Sequence, residues 1–193
     1  FTASKTTIGE PQIGSYGLYF GRVTEEKGVE TVIKAYEKLP EYTVKIMGDD
    51  TTDEAKRLKK YVKDHKMKNV EFLGFKSGEE LEDIIKGARF TLIPSIWYDN
   101  LPNTALESFQ YSKPVIASNI GSLPELVSDG ENGYLFEPSN VEDLIKKIKM
   151  LDDDILVKKM GQASRKRLEN RFAPQSHYEA LMKIFNEAVK NRK

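Results

Sequence analysis

The feature that most constrains this chain is a regular alternation of short apolar runs with amphipathic stretches. Tyr16–Phe20 stops at Gly21, Tyr42–Met47 at Gly48, Val70–Leu73 at Gly74 and Phe90–Ile93 at Pro94. Pro114–Ala117 and Tyr134–Phe136 complete six predicted strands. Between them the apolar residues change to helical spacing: Val29, Val32, Ile33 and Tyr36; then Ala55, Leu58 and Val62 within 53–65; then Leu81, Ile84 and Ile85 within 79–86. Two or three helices are expected to close the chain; Val141, Leu144, Ile145 and Ile148 mark one, and Tyr178, Leu181, Ile184 and Phe185 another. Repeated strand–helix units imply an α/β fold, a Rossmann-like doubly wound parallel sheet with C-terminal helices. Ligands in such folds sit beyond the carboxyl ends of the strands, so the residues just after each strand are the ones to weigh.

The 193 residues suffice for one domain with a real core, and 31% charged residues against 39% hydrophobic make a globular chain. A formal net charge of zero argues against a nucleic-acid partner. The absence of cysteine excludes a disulfide scaffold, a cysteine-based zinc site and a cysteine nucleophile. No apolar run approaches the roughly 20 residues of a membrane span. The chain begins at Phe1, and its first fourteen residues are polar and irregular. Residues 1–14 are therefore expected to be a linker from a missing upstream domain, with 15–193 as the domain proper. From Val141 onward there are 13 Lys or Arg against 8 Asp or Glu. This excess reads either as a solvated helical surface or as a membrane-surface patch.

The loop after the first strand runs Gly21-Arg-Val-Thr-Glu-Glu-Lys-Gly28. Gly21 permits a sharp turn. Arg22 and Lys27 flank the start of the next helix and form either a cationic clamp for a diphosphate or ordinary surface charges, one of which pairs with Glu25 or Glu26. After the fourth strand, Asp99 and Glu107 lie eight positions apart around a helix start. Thr104 and Glu107 have the spacing of a capping box, in which the Thr hydroxyl caps the helix. The amides of Asn103 and Thr104 would face outward at that helix start and suit a phosphate. Trp97 and Tyr98 would either line a pocket or pack over the sheet edge. His65 and His177 stand among charged residues and read as surface histidines. No Walker A or Gly-x-Gly-x-x-Gly pattern is present.

Together these stretches resemble the C-terminal, nucleotide-sugar-binding domain of retaining GT-B glycosyltransferases, the glycosyl transferases group 1 that include glycogen-synthase-like and mannosyltransferase-like members. The resemblance runs from about Gly17 to the C-terminus. It rests on Gly-Arg-Val-x3-Lys-Gly at 21–28, Phe72-Leu-Gly74, Pro94-Ser95, the acid-x7-Glu pair of Asp99 and Glu107, Lys-Pro-Val-Ile-Ala-Ser at 113–118, Gly-Ser-Leu-Pro-Glu at 121–125 and Asp129-Gly-Glu-Asn-Gly133. It implies one half of a GT-B fold that takes a sugar from a UDP-, GDP- or ADP-sugar with retention. Arg22 and Lys27 would hold the diphosphate and neutralise the leaving nucleotide. Glu107 would take the ribose hydroxyls, and Asp99 would stand near the donor sugar. Gly74 and Phe75 would border the base. No metal and no cofactor is implied. The partners implied are the nucleotide sugar and an N-terminal acceptor domain. Localisation would be cytoplasmic, with peripheral contact of the full-length enzyme at the inner face of the membrane a further expectation.

Three departures from the family pattern stand out. Asp99 is one methylene shorter than the usual Glu. The Gly-x-Gly after the second strand reads Gly48-Asp49-Asp50. Leu101-Pro-Asn-Thr104 replaces the commoner Pro-Phe-Gly-Leu-Val. Two other readings compete with the transferase: a sugar-nucleotide-binding module without catalysis, and a sugar-nucleotide epimerase of related architecture.

Overall fold

The computed structural model describes residues 12–172 and 174–190. Six strands, β1 (Tyr16–Phe20), β2 (Thr43–Met47), β3 (Val70–Gly74), β4 (Ala88–Ile93), β5 (Val115–Ser118) and β6 (Gly133–Phe136), form one sheet in the order β3-β2-β1-β4-β5-β6. Every pairing is parallel. Parallel neighbours need a crossover, and helices supply it: α1 (Val29–Glu37), α2 (Asp53–Asp64), α3 (Gly78–Lys86), α4 (Asn103–Gln110) and the single turn α5 (Leu123–Leu126). Three helices close the chain, α6 (Val141–Met150), α7 (Asp154–Arg171) and α8 (Pro174–Lys190). The expected doubly wound sheet is borne out, with strand limits moved by one or two residues. The short α5 was not anticipated: four residues hold too few positions for a period to show.

Both faces of the sheet are covered, so its strands read as near-continuous apolar runs. Val32, Ile33 and Tyr36 of α1, Leu58 of α2 and Leu144 and Ile148 of α6 share a core with Tyr19, Ile46, Leu92 and Ile116. The alternate strand residues point the other way. Ile93, Val115 and Ala117 pack with Leu106 and Phe109 of α4, and Leu18 and Phe20 pack with Ile85 of α3. Helix α7 reaches both layers, with Val157 and Met160 in the first core and Leu168 in the second.

The expected linker at 1–14 lies mostly outside the described residues, as does the side chain of His177. His65 stacks on Tyr61 with ring centroids 3.9 Å apart at the exposed end of α2. No described helix is long and apolar enough to cross a membrane.

Candidate functional site

The strand order reverses between β1 and β4, where the helices that follow these strands leave on opposite faces and open a crevice. Two adjoining cavities lie there, of about 330 Å³ and 190 Å³, sharing Phe20, Gly21, Arg22 and Thr104. The larger also meets Met47, Gly48, Phe75, Leu81 and Glu107; the smaller meets Lys27, Ser95, Asp99 and Asn103. Thus eight of the nine residues singled out for the site surround one crevice. The ninth, Gly74, stands behind Phe75. Its φ of +69° turns the chain so that Phe75, 75% exposed, reaches the cavity wall.

Glycines build the floor because backbones meet there. A Cβ on Gly48 would lie 1.9 Å from the Gly21 carbonyl oxygen, and one on Gly28 would lie 2.0 Å from that of Pro94. Gly28 also has a φ of +66°, so no other residue fits the turn from the 3-10 turn Glu25–Lys27 into α1. The loop after β1 is thereby clamped to the loops after β2 and β4. The Ile96 amide donates to the Glu26 carbonyl, and the Thr52 hydroxyl donates to the Val23 carbonyl.

The two cations of this loop differ in environment. The Arg22 side chain is 72% exposed and stands 3.8 Å from Glu26. Lys27 does not pair with Glu25 or Glu26. Its ammonium donates to Asp99 Oδ1 at 2.6 Å, with both side chains largely buried. Ser95 donates to the other oxygen, Asp99 Oδ2, at 2.6 Å. The Asp99 backbone carbonyl accepts from the Ser122 hydroxyl at 2.8 Å. The loop after β4 is therefore held by its acid to β1's loop and to α5. Ser95 received no role from sequence; its position four residues before Asp99 in a tight loop was the available signal.

The capping box is not formed. Helix α4 begins two residues earlier than that motif requires, with Pro102 as its N-cap and no side-chain cap, and the Ala105 amide donates to the Pro102 carbonyl at 3.0 Å. Proline fixes a φ suited to this position, which moves the start upstream and makes Thr104 the second helical residue. Asn103 and Thr104 consequently belong to the first turn, whose N–H groups lack acceptors within the helix. Glu107 sits one turn in, facing the larger cavity. Among the described residues its carboxylate has no hydrogen bond or ion pair, and burial holds its pKa above the ordinary carboxylate value.

Trp97 and Tyr98 line neither cavity and are 63% and 71% exposed. Asp50, which replaces the second glycine of the family's Gly-x-Gly, pairs with Lys59 of α2. Asp49 holds the Thr51 amide and hydroxyl at 2.9 and 2.6 Å. No group of three His, Cys, Asp or Glu among the described residues is arranged to hold a metal ion.

A glycosyltransferase of Methanocaldococcus jannaschii (MJ1178) is 30% identical over 174 residues, which are 90% of this chain and 48% of that protein. The C-terminal domain of a glycosyl transferase group 1 family protein (LpcC) from Francisella tularensis superposes with a TM-score of 0.72 at 27% identity, over 84% of this chain and 89% of that one. Anabaena HepE in complex with UDP-glucose superposes with a TM-score of 0.80 at 21% identity, over 90% of this chain and 49% of that one, a likeness of fold. The chain spans about half the length of the curated relatives it matches. The Rossmann-like half of a GT-B glycosyltransferase is the architecture it shares with them. The sequence profile of the glycosyl transferases group 1 matches residues 5–167, and the chain belongs to that family.

Proposed function

We propose that this domain holds the nucleoside-diphosphate sugar of a retaining glycosyltransferase, with the acceptor, a glycan, a lipid or a small molecule, bound by an N-terminal domain. The observation that carries this reading is Glu107. A half-buried carboxylate without a partner is a cost to the fold that ligand binding accounts for, and Glu107 faces a cavity walled by Arg22 and the first turn of α4. The HepE neighbour was solved with UDP-glucose, which supports the same class of ligand.

In this reading Arg22 and Lys27 take the diphosphate, and the amides of Asn103 and Thr104 donate to it. Positive charge at the leaving diphosphate lowers the barrier to its departure. Glu107 accepts from the ribose hydroxyls, the Gly74–Phe75 turn borders the base, and Asp99 stands by the sugar. Lys27 reaches the phosphate only by sharing or leaving Asp99. Asp99 therefore also acts as the counter-ion that holds Lys27 at the strand ends before the donor arrives.

The test is calorimetry with UDP, GDP, ADP and their sugars. One nucleoside diphosphate is expected to bind and to raise unfolding stability by about 2.7 kcal/mol at a hundredfold excess over Kd. The chain alone is expected to transfer no sugar, because the residues assigned here all contact the donor. Absence of binding by every nucleotide would overturn the assignment, and efficient transfer by this chain alone would overturn the division of labour.

A further inference from the structure

A second cationic groove lies away from the crevice, between α7 and the loop that leads into the amino end of β6. It has a volume of about 580 Å³ and is lined by Lys159, Lys166, Arg167 and Arg171, with Glu131 as the one carboxylate. These cations recur on α7 at spacings that bring them to one side of the helix. Lys159 and Lys166 make no hydrogen bond or ion pair among the described residues. The guanidinium groups of Arg167 and Arg171 both donate to the same acceptor, the Glu125 carbonyl, at 2.6 and 2.9 Å. Arg167 also donates to the Ser128 hydroxyl at 2.9 Å, and its Nε is buried without an acceptor. The nearest carboxylate to Arg171 is Glu125, at 3.8 Å. Burial and the Arg171 charge both push the Arg167 pKa down, against a smaller opposing pull from Glu131. Two guanidinium groups crowded onto one carbonyl, beside two unpaired ammonium groups, make a concentration of positive charge that Glu125 and Glu131 offset only in part. The wall opposite is open: Gly130, with a φ of +80°, has nothing within 4 Å of where a Cβ would stand.

We propose that this groove is a second binding site, for a phosphate group, separate from the donor crevice and independent of its assignment. Guanidinium forks match phosphate oxygens in pairs, and the two lysines supply point charges at the rim. The phosphate comes either from a soluble ester or from a phospholipid headgroup; the chemistry recognised is the same.

The test uses the chain carrying Arg22→Ala, so that the donor crevice is weakened, with and without Lys159→Glu and Lys166→Glu. Because both lysines are exposed and make no hydrogen bond or ion pair among the described residues, the double reversal is expected to keep the unfolding midpoint and the parent's UDP affinity when made alone. Inorganic phosphate is titrated by calorimetry. Saturable one-site binding that weakens about tenfold or more on reversal is expected. In parallel, the chain is sedimented with vesicles of phosphatidylglycerol and of phosphatidylcholine at physiological ionic strength, where the screening length is about 8 Å. Sedimentation with the anionic vesicles alone, abolished by the reversal, assigns the phosphate to headgroups. Phosphate binding without sedimentation assigns it to a soluble ester. Neither phosphate nor vesicle binding, or binding that the reversal leaves unchanged, overturns the site.

Discussion

The two ends of the parallel sheet differ in how their polar side chains are used. At the amino ends, polar side chains at the starts of four strands spend their donors on backbone carbonyls. Asn69, before β3, donates to the carbonyls of Tyr36, Leu39 and Tyr42. Arg89 of β4 donates to those of Leu151 and Asp152. Lys113, before β5, is 1% exposed and donates to those of Gln12, Lys86 and Ala88 at 2.7, 2.6 and 2.8 Å. Asn132, before β6, donates to Leu126 and accepts from the Ser128 amide. At the carboxyl ends, the Ser118 hydroxyl is buried without a partner, Glu107 is half-buried without one, and the first turn of α4 has no side-chain cap. The amino edge ties the crossovers together, with the buried Tyr36 hydroxyl beside Gly17 as its exception, whereas the carboxyl edge pairs Lys27, Asp99 and Ser95 with one another and leaves Glu107 and Ser118 without a partner.

Removing a tie should produce the largest effect. Burial lowers the Lys113 pKa to about 8, so at pH 7 it is still an ammonium with three N–H groups for three carbonyls. Lys113→Met retains most of the stem volume and leaves those carbonyls without a donor. At roughly 1–3 kcal/mol for a buried polar group left unsatisfied, the loss should be on the order of 3–5 kcal/mol. That is a large share of the roughly 5–15 kcal/mol that stabilises a domain. Denaturant unfolding measures it, with nucleotide affinity retained below the transition. A loss under about 1 kcal/mol would mean that the amino edge is no tighter than the carboxyl edge.

This contrast also marks what a reader of the sequence alone can see. Strand positions were legible because both faces of the sheet are buried and each of the first four runs ends at Gly or Pro. The crevice was legible because a doubly wound order puts it after β1 and β4, so Gly21, Arg22, Asp99 and Asn103 could be placed without coordinates. The partners of those side chains were not. Lys27 meets Asp99 across 72 positions, and nothing local to either residue signals the pair. The capping-box spacing of Thr104 and Glu107 was misleading because Pro102 starts the helix upstream. Lys113 lay inside a quoted motif, yet its three acceptors come from segments 25 to 101 residues away.

A smaller effect separates the members of the Lys27–Asp99 pair. Lys27→Ala should weaken nucleoside diphosphate binding by on the order of 2 kcal/mol and also reduce stability, since it leaves Asp99 largely buried with only Ser95 to donate. Asp99→Asn should behave differently. It removes the internal competitor for the ammonium, so affinity for the free nucleotide should hold or rise, while affinity for the nucleotide sugar falls. Calorimetry with UDP and GDP against their sugars distinguishes the two variants. If Asp99→Asn loses the free nucleotide as fully as Lys27→Ala does, Asp99 is a direct phosphate-site residue and not the resident counter-ion of Lys27.

The finest test concerns Glu107, because binding and stability should change in opposite directions. Burial raises its carboxyl pKa in the folded chain above the unfolded value of about 4.3. Between those two values the folded state holds a proton that the unfolded state has lost. Stability therefore falls as the pH rises through this window, and at neutral pH the ionised carboxylate is a net cost to the fold. Glu107→Gln removes the charge and keeps the length. It should stabilise the domain at pH 7 by on the order of a few tenths of a kcal/mol, discounted for the part of the group that water still reaches. That gain should vanish below the window, where parent and variant both present a neutral side chain. Nucleotide affinity should fall by on the order of 1–3 kcal/mol at pH 7, because an amide cannot accept from both ribose hydroxyls as a carboxylate does. Unfolding curves at pH 3 and pH 7, paired with calorimetry at pH 7, read both quantities. A variant that loses stability at pH 7 would mean that Glu107 has a stabilising partner, and the carboxyl edge would then resemble the amino edge. A variant that gains stability and binds the nucleotide as the parent does would leave the strained carboxylate without the ligand that explains it.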